Sequence, residues 1–140
     1  MSSVAVGKFV STLLASREQA HVYHLLTRSY STHKALQAYY EGIVDLVDKY
    51  AETYMGKTGR RIQFPSSIIN RRLNTRPVNA KAYFMALFKR IHAMRLPTNS
   101  YLENIRDEIE ELIRETLYML SLRNGNGNGN GNRRRRLYRN

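Results

Sequence analysis

The sequence predicts an all-α protein, a four-helix bundle, on three observations. Apolar residues recur at steps of three and four through four segments, the period of one helix face. Short connections at 27–31 and 97–99 and one long connection at 57–79 separate those segments. The 140 residues include no cysteine, so a single core of ordinary size forms without disulfide or thiolate staples. Four amphipathic helices with tight turns at both ends and a longer middle crossover describe such a bundle over 1–123. Residues 124–140 are a separate object.

A first helix is predicted over 3–26, with Val6, Phe9, Val10, Leu13, Leu14, Val22, Leu25 and Leu26 as its apolar stripe. His21 falls next to this stripe and is expected to face an interior or an interface. His24 could pair with it, although a surface or tyrosine-paired role suits it better. Residues 27–31 read as a loop, with Thr32 as the N-cap of the next helix. That helix, over 32–55, carries Leu36, Tyr40, Ile43, Val47, Tyr50 and Tyr54 at heptad-like steps, Tyr39 and Tyr40 adding aromatic bulk, and its tyrosines are expected to pack with their hydroxyls at the periphery. Gly56-Lys57-Thr58 is not a phosphate loop, because Ala51 stands where the motif needs glycine and a helix precedes it instead of a strand. Gly56 and Gly59 end the helix instead.

Pro65, Ile68, Ile69 and Leu73 predict one short helix inside the long connection. A third helix over 80–96 carries Tyr83, Phe84, Leu87, Phe88 and Ile91, with His92 read as structural. Pro97 and Thr98 break the chain. Ser100-Tyr101-Leu102-Glu103 is a capping-box pattern opening the fourth helix. Leu102, Ile105, Ile109, Leu112, Ile113, Thr116 and Leu120 form its buried face.

Charge narrows the partners. The formal net charge is +12, and five of the 23 basic residues lie after Asn124, leaving 18 against 11 acidic, or +7, in the bundle. A polyanion is the natural partner of such a balance. From Thr53 to Leu102 there is no acidic residue, while Lys57, Arg60, Arg61, Arg71, Arg72, Arg76, Lys81, Lys89, Arg90 and Arg95 all occur. Either these cations meet phosphate or some of them pair with the acidic last helix. The tail alternates Asn and Gly over 124–132, a spacer with nothing to bury. Arg133, Arg134, Arg135, Arg136 and Arg139 follow, and on such a tether they could neutralise phosphates without a folded groove. A solubility tail, a packaging or localisation signal and an artificial appendage are the alternatives. No apolar run has the length of a membrane span. The start lacks a basic region before its short apolar run, which Lys8 interrupts, so no signal peptide is expected.

Residues 19–52 hold the candidate chemistry. His21 and His33 flank the first turn, and Asp48 and Glu52 follow one helical turn apart, with Asp45 extending the acidic stripe. Imidazole and carboxylate are the ligand set of iron, manganese or zinc. Within one helix, the step from His33 to Asp48 spans roughly 22 Å at 1.5 Å per residue, so they cannot share an ion there. The chain carries two half-sites, which a two-fold symmetric, antiparallel partner could join. The plain alternative is solvated histidines and surface carboxylates.

On Gln19-Ala20-His21, His33, Asp48 and Glu52, in this order and spacing, the chain resembles the Dps mini-ferritins, the DNA-binding proteins from starved cells. The resemblance is sharp over 19–52 and extends as helix order and length to about residue 123. It implies a ferritin-like four-helix bundle with a short helix in the crossover between helices two and three. It implies ferroxidase activity, with His21, His33, Asp48 and Glu52 as catalytic and metal-binding residues of a mono- or di-iron site shared between subunits. A closed homo-oligomer follows, a dodecamer built on two-fold dimers that binds DNA without sequence preference. The location would be cytoplasmic and nucleoid-associated in a cell. Val22 stands where the family carries tryptophan, and Gln37 where it often carries an acid. Beside this stands a second reading, a non-enzymatic DNA-condensing bundle of a virus particle or nucleoid with a weakened or vestigial metal site.

Overall fold

The computed structural model describes residues 2–66, 73–76 and 79–122. They form four helices and no strand: α1 (Ser2–Leu26), α2 (Tyr30–Thr58), α3 (Ala80–His92) and α4 (Ser100–Ser121). The short helix expected in the crossover and the Arg-rich tail lie outside the described residues.

Packing fixes the direction of each helix. Ser16 meets Tyr39 and Phe9 meets Tyr50, so α2 runs antiparallel to α1. The Lys49–Glu108 ion pair and Lys57 over the Tyr101 ring set α4 antiparallel to α2. Arg114 over Phe88 and His92 beside Glu110 set α3 antiparallel to α4. Contacts run α1 to α2, α2 to α4, α4 to α3 and α3 to α1, leaving α1/α4 and α2/α3 as the diagonals. The bundle is therefore up, down, down, up. Because α2 and α3 are parallel, the connection between them must return along the whole bundle.

That return path lies on α1. Gln63 N–H donates to the Ser3 carbonyl at 3.3 Å. Further along, Gln19 holds both backbone groups of Asn74, its side-chain amide donating to the carbonyl at 2.8 Å and its oxygen accepting the N–H at 2.7 Å. Gly7 makes room: a Cβ there would sit 2.0 Å from the Gln63 carbonyl oxygen. Covered by α2, α3 and the crossover, α1 buries residues 9–13 without a break.

The α1 stripe differs from the expected one over its second half. Val6, Phe9, Val10 and Leu13 are buried, but the stripe continues through Ser16, Ala20, Tyr23 and His24. Leu14, Leu25 and Leu26 are exposed, and Val22 is half-buried. Ser16 can take a core position because its hydroxyl bonds both the Leu13 carbonyl and the Tyr39 hydroxyl at 2.6 Å. A polar residue satisfied in this way costs little to bury, so hydrophobicity alone misplaces the stripe.

The helix ends correct four further boundaries. Ser29, not Thr32, is the N-cap of α2: its backbone is extended and its hydroxyl accepts the Thr32 N–H at 3.3 Å. Several hydroxyl residues here could cap, and the contact of His33 with α1 draws the helix start forward. Gly59 closes α2 with φ 68, its N–H on the Met55 carbonyl, so Gly56 is helical rather than terminal. Thus Gly56-Lys57-Thr58 forms the last turn of a helix. α3 stops at His92 rather than residue 96, because Arg106 takes the carbonyls of Ile91, His92 and Met94 at 2.8–2.9 Å. The cap of α4 is Asn99, whose carbonyl accepts the Leu102 and Glu103 N–H groups, so Ser100 is already helical and no capping box forms. On the buried face of α4, Leu112 and Leu120 are half-buried and the other five expected residues fully buried.

Candidate functional site

The turn between α1 and α2 gathers an aromatic histidine cluster. His24 is buried, its ring stacked on His33 with centroids 3.6 Å apart. His24 Nδ1 bonds the His33 carbonyl at 2.7 Å, and His33 Nδ1 bonds the His24 carbonyl at 2.8 Å. A carbonyl only accepts, so both Nδ1 atoms carry the proton, and in the neutral rings both Nε2 atoms keep their lone pairs. His21 is exposed, its ring stacked on Tyr40 at 4.3 Å, and His24 meets both rings edge-on. His21 and His33, the expected histidine half, thus each meet His24 at one end of the bundle. His24 joins it as a buried bridge rather than a surface residue, and His21 faces outward rather than into the interior.

The carboxylate half lies elsewhere. Asp45, Asp48 and Glu52 are exposed on α2, and none forms a hydrogen bond or ion pair with another described residue. Among the described residues no three His, Asp or Glu side chains converge as metal ligands. One chain therefore presents the two halves apart, as the helical rise requires. Gln19, first residue of the Gln-Ala-His run, is committed to the Asn74 backbone. Gln37 donates to Glu41 at 3.0 Å on the surface of α2. His92 stacks on Phe88 and bonds Glu110 at 3.0 Å, a carboxylate 18 residues away that sequence proximity did not reveal.

Charge on the surface is divided by element. Lys57, Arg60, Arg61, Arg76, Lys81, Lys89, Arg90 and Arg95 are all exposed, and none pairs with a carboxylate among the described residues. The pairs that α4 does make outside itself use Lys49 and His92. Arg71, Arg72 and the five tail arginines lie outside the described residues. No helix among the described residues is long and apolar enough to cross a membrane.

A model of a family of unknown function, DUF5856, matches residues 24–120. The chain belongs to that family. The matched span contains His24, His33, Asp48 and Glu52 and begins after His21. The chain is also similar to an uncharacterised 14.6 kDa protein from the mobD-ri intergenic region of enterobacteria phage T4. They are 27% identical over 115 residues, covering 82% of this chain and 87% of the phage protein. No solved structure matches the chain.

Proposed function

We propose that this DUF5856 chain is a subunit of a ferritin-like shell that takes up Fe(II) and oxidises it with peroxide or oxygen at sites shared across two-fold interfaces. One subunit supplies His21 and His33, and its partner supplies Asp48 and Glu52. The observation that carries the reading is the exposure of Asp48 and Glu52 without any partner among the described residues, on the same hairpin as the histidine cluster. Unpaired carboxylates one turn apart keep their charge available for a cation. The up-down-down-up order with a long crossover supports the ferritin-like part of the reading. Iron is here substrate and cargo. The imidazoles orient the ion, and the carboxylates neutralise and bridge it. A twelve-subunit shell with many basic tails would hold DNA through phosphate contacts and multivalency.

A second reading has its own support. The similarity to a phage T4 protein favours viral origin, and eight exposed cations without carboxylate partners favour a phosphate-binding surface. On that reading the bundle condenses DNA, in a virus particle or on a nucleoid, and its metal site is vestigial. Anaerobic Fe(II) titration followed by admission of oxidant separates the two. The shell reading expects saturable binding near one or two irons per subunit and growth of the ferric absorbance faster than in buffer. Ferric growth at the buffer rate with no saturable binding leaves the second reading.

A further inference from the structure

The end of the bundle that carries the α1–α2 turn also holds a cavity of about 400 Å³, within the range of small-molecule pockets. Its apolar wall is Tyr23, Leu26, Leu36 and Leu120, drawn from α1, α2 and α4. Arg28, from the turn, and Lys81, from the first turn of α3, are the charged residues of a lining that beyond this wall is made of small and polar side chains, and no described residue in it is a carboxylate. Both cations are exposed, and neither forms an ion pair with a described residue.

Backbone charge at this end nearly cancels. Two helices begin here and two end here, as the directions of the bundle require, and each terminus contributes roughly half a charge. The two full positive charges of Arg28 and Lys81 therefore dominate the field in the cavity. Its wall is apolar, and its charged lining residues are both cations.

We infer that this cavity binds a small amphipathic anion, an aromatic or aliphatic body bearing one carboxylate, sulfonate or phosphate head, with Arg28 and Lys81 on the head and Leu26, Leu36 and Leu120 on the body. The inference is independent of iron: none of His21, Asp48 or Glu52 lines the cavity. A free metabolite and a larger molecule offering the same head group share this chemistry, so the size of the probe is part of the test.

The test is calorimetric titration of the full chain with 1-naphthalenesulfonate and with the neutral 1-naphthalenemethanol, alongside naphthalenesulfonate carried on a long polyether. The free sulfonate is expected to bind saturably and about tenfold or more tighter than the alcohol, one charged contact being enough for that factor. Arg28→Gln with Lys81→Gln should remove that preference and leave alcohol binding unchanged. Lys57→Gln with Arg95→Gln, equally basic and away from the cavity, should leave both unchanged. All four side chains are exposed, and thermal melts verify that the variants fold. Retained binding of the polyether conjugate marks an open mouth that admits a larger donor of the head group, and its loss marks a free small molecule. Equal affinity for sulfonate and alcohol, or a sulfonate preference that survives the Arg28/Lys81 variant, overturns the inference.

Discussion

Tyr39 and Ser16 show how single polar contacts set the core. The Tyr39 hydroxyl is fully buried and its partner is the Ser16 hydroxyl at 2.6 Å. Ser16→Ala leaves that phenol without its partner, and about 1–3 kcal/mol of stability should be lost in urea unfolding despite the small change in volume. Tyr50 and Tyr54 are different: their hydroxyls are buried rather than at the expected periphery, and neither has a hydrogen-bond partner among the described residues. Burial pushes the Tyr50 phenol from its ordinary 10.0 up to about 12, opposed by nearby Arg106 and reinforced by Tyr54. The fold thus favours the neutral phenol, a contribution fully present below pH 10 and lost as pH rises through about 12. Tyr50→Phe should match the parent near neutral pH to within about 1 kcal/mol and then resist alkaline unfolding to higher pH. Parallel alkaline melts of the two proteins check this, and coincident curves above pH 10 would show that Tyr50 does not govern the transition.

At the scale of elements, the crossover is held on α1 by a glycine and a glutamine. Gly7→Ala would drive a Cβ into backbone, 2.0 Å from the Gln63 oxygen, so the crossover must lift. A loss of about 1–3 kcal/mol is expected, with faster tryptic cleavage between residues 57 and 79. Gly42→Ala is the control, since its Cβ would meet only the Leu112 side chain at 3.4 Å and the helix gains about 1 kcal/mol in propensity. Cleavage unchanged in Gly7→Ala would separate the crossover from α1. The four helices were legible because periodicity survives in Leu36-to-Tyr54 and Leu102-to-Leu120, where each helix buries one face. It failed on α1, where three neighbours leave no clean polar side and Ser16, Ala20 and Tyr23 replace the more apolar Val22, Leu25 and Leu26 in the core. Caps slipped for a related reason. Runs such as Ser29-to-Thr32 and Asn99-Ser100 offer rival capping groups, and tertiary contacts choose among them. At the site, sequence spacing separated the carboxylates from the histidines correctly. It did not foresee the reciprocal His24–His33 bonds, which depend on backbone carbonyls nine residues apart.

At the scale of the whole molecule, the proposed function belongs to an assembly and not to one chain. On the proposed shell reading, the histidine cluster and the Asp48/Glu52 pair, which occupy separate parts of one hairpin, form a site only when a partner supplies the other half. His21→Ala damages one half and Glu52→Ala the other, and either homo-oligomer should oxidise Fe(II) poorly. Co-assembled at equal amounts, random pairing makes about half of the dimers mixed, and each mixed dimer has one site with both halves intact. The decisive measurement is therefore the Fe(II) oxidation rate of co-assembled His21→Ala and Glu52→Ala chains, with mixing verified by native mass spectrometry. The shared site predicts recovery to about a quarter of the parent rate. A rate that stays at the single-variant level in verified mixed assemblies would contradict it.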